Sequence, residues 1–62
     1  MSESYIIEVS SQAAGIVVRE AAGYRFFAAL QPFYRLDGRL FRHAVDAQRA
    51  AAQLLNDGLA TA

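Results

Sequence analysis

The sequence predicts an α+β domain, a three-stranded antiparallel meander packed on one C-terminal helix. Three observations carry this. Apolar residues tend to alternate from Tyr5 to about Ala29, as in strands, and recur every three or four from about Ala44 to Leu55, as in a helix. The runs in the first half are β-branched and aromatic and are bounded by glycine. The length of 62 residues suits a single small domain and is too short for two cores.

The first strand spans about residues 5–9. Tyr5, Ile7 and Val9 share one face, and Ile6 and Glu8 share the other. Residues 10–15 are polar or small and read as a loop. The second strand spans 16–20, and Ala21-Ala22-Gly23 turns the chain. The third strand spans 24–29. A three-residue turn pairs Glu20 with Tyr24, Val18 with Phe26 and Ile16 with Ala28, and gives a clean apolar face. A slip of one residue would flip a strand.

Residues 30–42 are less regular. Pro32 cannot donate to a ladder and ends the third strand, and Asp37-Gly38 is a tight-turn pair. Phe33, Leu36, Leu40 and Phe41 are too apolar for a solvated loop, so the segment is expected to be packed, with room for a short fourth strand near 39–41. The helix is expected over about 44–56. Ala44, Ala47, Ala51, Leu54 and Leu55 form its buried stripe, and Asp46, Arg49, Gln53 and Asn56 its wet face. Asp46 suits the positive end of the helix dipole. Gly58 is the expected stop, with 59–62 fraying.

Hydrophobic residues make up 55% and charged residues 19%, which is a folding composition. Much of the apolar content is alanine, so the few bulky residues must be well placed. A domain of this size buries only about 60% of its unfolded surface, and such chains are commonly stapled by disulfides, metal or a partner. The absence of cysteine removes disulfides and thiolate zinc sites. The single histidine, His43, cannot build a multi-histidine metal site. Self-association is the remaining staple.

The formal net charge is zero, so bulk charge attracts neither nucleic acid nor a membrane. All six basic residues are arginine and lie between Arg19 and Arg49. A planar guanidinium fork suits phosphate, so Arg19, Arg25, Arg35 and Arg39 are candidate anion or nucleic-acid contacts. A solvated arginine-rich face explains the same bias. No leader-like apolar run opens the chain, and no stretch approaches 18 apolar residues. The expected setting is soluble and cytoplasmic, with no membrane partner.

No catalytic constellation is present in the sequence. His43 has no nucleophile or orienting group in a recognisable pattern. It stands where a helix cap belongs, and His43-Ala-Val-Asp46 keeps capping-box spacing. Asp37, Asp46 and Asp57 lack the spacing of a calcium loop. There is no P-loop, dinucleotide fingerprint or G-x-S-x-G. No catalytic residue, metal or cofactor is therefore assigned, and the chain is not expected to be an enzyme.

One feature is not explained by burial. In the expected register the second sheet face displays Ile6, Val17 and Phe27 with Glu8, Arg19 and Arg25. One helix covers only one face, so these apolar residues are a candidate interface. Arg19 would stand opposite Arg25, which is unfavourable without an anion between them. Arginine stems lying over Val17 and Phe27 are the plainer alternative.

The segments Ala14-Gly15-Ile16-Val17, Gly23-Tyr24-Arg25-Phe26-Phe27-Ala28 and Leu36-Asp37-Gly38-Arg39-Leu40-Phe41 resemble short uncharacterised bacterial β-β-β-α proteins. Their pattern is A-G-I-V, then G-[FY]-x-F-x-A, then L-[DE]-G-x-x-F before an alanine-rich helix. The resemblance covers most of the chain and implies a fold without an assigned activity. The pattern usually has serine or threonine where this chain has His43. More loosely, three strands followed by a helix are similar to the arm-binding domains of phage integrases, which read DNA with the sheet face. The expected function is a small non-enzymatic interaction module that self-associates, or takes a protein partner, through the outer sheet face or an open edge. The alternative is a nucleic-acid-binding domain using the arginines named above.

Overall fold

A computed structural model describes residues 3–60, with side chains described as far as Asn56. The elements are β1 (Ser4–Val9), β2 (Gln12–Glu20), β3 (Gly23–Ala28), a 3₁₀ helix (Gln31–Leu36), β4 (Leu40–Phe41) and α1 (Ala44–Ala60). The strands form one antiparallel sheet in the order β1-β2-β3-β4, a meander with a short fourth strand, and α1 packs on one face of it.

Both long hairpins turn tightly. β1 and β2 are joined through Ser10 and Ser11 alone, so the segment expected as a loop is mostly strand. Both serines have positive φ, 53° and 66°, which is what a two-residue hairpin of type I′ demands and what asparagine-glycine supplies more cheaply. β2 and β3 are joined through Ala21 and Ala22, with Glu20 opposite Gly23. Gly23 sits inside β3 at φ 148°, and a Cβ there would lie 2.5 Å from the Phe41 carbonyl oxygen. Glycine therefore lets β4 close on β3.

The expected pairing of β2 with β3 is displaced by one residue, because the turn between them holds two residues rather than three and Gly23 belongs to β3, so Val17 rather than Val18 stands opposite Phe26. A β-bulge brings the pairing with β1 into the same parity. Ile7 pairs with Gly15 but Glu8 pairs with Ala13, leaving Ala14 as the extra residue. Without the bulge, counting back from Val9 opposite Gln12 would place Ile16 opposite Tyr5, on the helix side. The extra residue puts Val17 opposite Tyr5 instead, so Gly15 and Val17 face the helix and Ile16 and Val18 face away. β1 and β3 present the expected faces. Gly15 makes the arrangement fit: a Cβ there would meet the Phe27 carbonyl oxygen at 2.3 Å and Phe26 Cζ at 2.8 Å.

The core comprises Ile7, Val9, Ala14, Val17, Phe26, Phe33, Leu36, Ala47 and Ala51. Ala47 and Ala51 are fully buried, so the helix backbone lies close to the sheet and Phe26 fills the space between them. Pro32 stands in the first turn of the 3₁₀ helix, where its fixed φ fits. Its i, i+3 pair, Phe33 and Leu36, lies on one side and closes the end of the core. The Ala28 N–H donates to Asp37 Oδ1 at 2.8 Å, and the Gly38 N–H donates to the Phe26 carbonyl at 2.8 Å. These bonds carry the chain from the 3₁₀ helix into β4.

α1 begins directly after His43, whose carbonyl accepts the Asp46 N–H at 3.1 Å. The helix does not stop at Gly58 but runs to Ala60. Glycine costs about 1 kcal/mol in a helix interior, which weakens a helix without forcing its end. The fraying expected for residues 61 and 62 lies outside the described residues.

Candidate interaction surface

The helix covers one side of the sheet, and the other side has no covering element among the described residues. On that outer side the register aligns Ile6 with Ile16 and Ile16 with Phe27, a row of three large apolar side chains across β1, β2 and β3. The next row is Ser4, Val18, Arg25 and Leu40. Exposure is 67% for Ile6, 38% for Ile16, 43% for Phe27 and 40% for Leu40. This is a contiguous patch, unlike the scattered exposed Leu30, Tyr34 and Val45.

Of the three residues expected at this surface, Ile6 and Phe27 are there and Val17 is not. Val17 is fully buried on the helix side, because the two-residue turn sets it opposite Phe26 and the Ala14 bulge sets it opposite Tyr5, and Ile16 occupies its place outside. The signal that could have found this is Gly15, since glycine inside a strand pattern marks a bulge or close backbone approach.

The four candidate arginines do not share one side of the sheet. Arg19 pairs with Tyr24 in the ladder and Arg25 with Val18, so they lie on opposite sides of the sheet and the expected like-charge pair does not form. Arg19 Nη1 bonds Glu3 Oε1 at 2.9 Å. That bond, with the attraction of the same carboxylate, raises the Arg19 pKa above an already high value. Arg25 lies on the outer face, where its Nε donates to both Glu20 carboxylate oxygens at 3.0 Å and its Nη1 to the Gly38 carbonyl at 2.7 Å. Its fork is therefore already occupied. Arg39 stacks over the Phe41 ring, 5.5 Å from its centroid. Arg35 lies exposed at the end of the 3₁₀ helix and makes no ion pair among the described residues.

The β1 edge is the second open feature. The Arg19 N–H donates to the Glu3 carbonyl at 2.8 Å, which fixes the alternation along β1. Glu3, Tyr5 and Ile7 direct their backbone groups at β2, and Ser4, Ile6 and Glu8 direct theirs away from the sheet. The Glu8 carbonyl accepts a long bond, 3.4 Å, from the Gln48 amide of α1. The outward groups of Ser4 and Ile6 have no partner among the described residues.

Among the described residues no group of three histidine, cysteine, aspartate or glutamate side chains could hold a metal, and no helix is long and apolar enough to cross a membrane. Compared with known proteins, the chain matches no family model, no curated protein and no solved structure.

Proposed function

We propose that this chain is a small non-enzymatic interaction module that self-associates through the outer side of its sheet or the open β1 edge. The observation that carries the reading is the row Ile6, Ile16 and Phe27, set side by side on a face that no element among the described residues covers. The thin core supports it, because three of its nine buried residues are alanine. A chain so small gains from surface buried against a second copy.

Nucleic-acid binding is the weaker reading. Arg19 and Arg25 spend their charge on Glu3 and Glu20 and lie on opposite sides of the sheet. Amide NMR spectra over a dilution series test the proposal. Self-association predicts shifts that change with concentration and concentrate on Ser4, Ile6, Ile16, Val18 and Phe27. Spectra unchanged by dilution, together with shifts on adding a DNA duplex, would reverse the preference.

A further inference from the structure

We infer that the second copy docks by strand addition at the β1 edge, antiparallel, with the two-fold axis passing beside Ile6; this rests on the self-association proposed above and specifies its mode. The most exposed of the large apolar side chains is Ile6, and it lies on this edge. The outward backbone groups of Ser4 and Ile6 are unpaired. β1 carries no proline and no lysine, and its single charge is Glu8, so the usual devices that blunt an edge strand are sparse.

An axis at Ile6 pairs Ile6 with Ile6 of the second copy, and Ser4 with Glu8. All three outward-facing residues are then used, and no like charges stand opposite each other. The Gln48 amide, at 3.4 Å, is the one bond that must yield or be shared. The outer apolar row becomes continuous across the two-fold, running Phe27, Ile16, Ile6 and then the same residues in reverse order.

Stacking the outer faces is the competing arrangement, and desolvation disfavours it. Stacking would cover the Arg25–Glu20 pair, whose side chains are each 37% exposed, and desolvating an ion pair is costly. Strand addition leaves that pair in water. A joint built from one short strand is small, so the dimer is expected to be weak, with a dissociation constant of about 10 µM to 1 mM.

The chain has no cysteine, so single nitroxide labels can be placed through Ile6→Cys and Phe27→Cys and their inter-copy distances measured at concentrations up to about 1 mM. Strand addition places the two Ile6 Cα atoms about 5.5 Å apart and the two Phe27 Cα atoms about 24 Å apart, since β3 lies two strands further from the axis. A shorter distance at Phe27 than at Ile6 would overturn the edge assignment and leave self-association standing. No inter-copy coupling at either position would overturn both.

Ile6→Pro is the matching perturbation, because it removes an outward N–H and spares the ladder to β2. It should weaken dimerisation about tenfold or more, whereas Phe27→Glu should leave the dimer in place. An Ile6→Pro variant that dimerises unchanged would overturn the assignment. If that variant does not fold, the label distances decide.

Discussion

Gly15→Ala should be among the most damaging single-methyl additions in this chain. Replacing a strand glycine by alanine ordinarily stabilises by about 0.4–1 kcal/mol, because the unfolded chain loses freedom. Here the new Cβ would lie 2.3 Å from the Phe27 carbonyl oxygen, 2.8 Å from Phe26 Cζ and 3.0 Å from Ala28 Cα. Ordinary carbon–oxygen contacts begin at about 3.3 Å, so the overlap with oxygen is about 1 Å. The oxygen is backbone and faces β2, and Phe26 is fully buried, so neither neighbour can swing away cheaply. Overpacking of this kind costs about 1–3 kcal/mol, and a ladder bond lost in relieving it costs about 0.5–1.5 kcal/mol more. The net expectation is a loss of about 2–3 kcal/mol, set against a total of about 3–9 kcal/mol for a chain of this length. The midpoint of thermal unfolding should fall by about 10–20 °C. Far-UV circular dichroism melts at fixed protein concentration read this directly, since association would otherwise move the midpoint. A variant as stable as the wild type, or more so, would refute the bulged register that brings Gly15 against β3.

Further outcomes follow from the same geometry. Ser10→Asn with Ser11→Gly should raise stability by about 1–2 kcal/mol, because both serines are held at positive φ; urea titration checks this. Phe33→Ala should cost about 3–5 kcal/mol, since the ring is fully buried at the end of the core, and the variant should be largely unfolded by circular dichroism. Asp37→Ala removes the acceptor of the Ala28 N–H and should cost about 1–2 kcal/mol, read in the same titration. A labelled DNA duplex titrated at low salt should show no binding. Salt-dependent binding that is lost on Arg35→Ala with Arg39→Ala would instead restore the nucleic-acid reading.

Much of the architecture was legible because period and composition agree. β1, β3 and the start of α1 follow from alternation, from aromatic and β-branched runs, and from the switch to a spacing of three and four. The faces of β2 were inverted, because the turn to β3 holds two residues rather than three and Gly23 belongs to the strand, while the apolar pattern Ile16-Val17-Val18 satisfies either parity. Gly15, beside the bulge that restores the parity with β1, was the further signal. The 3₁₀ helix was hidden because Phe33 and Leu36 are only one i, i+3 pair and Pro32 serves equally to end a strand or open a turn. The Asp37–Gly38 turn was visible, but the carboxylate bond to the Ala28 N–H joins residues nine apart and leaves no local trace. On the outer face Ile6 and Phe27 were placed by alternation alone, and Ile16 entered only with the two-residue turn and the bulge.

The central claim is that copies of this chain join through its sheet, at the outer side or the β1 edge, and absolute mass in solution tests the association most directly. Light scattering across a concentration series should show a weight-average mass rising from 6.8 kDa toward twice that value. A mass that stays at 6.8 kDa to the highest concentration reached would contradict it and leave the Ile6, Ile16 and Phe27 row free for a different molecule.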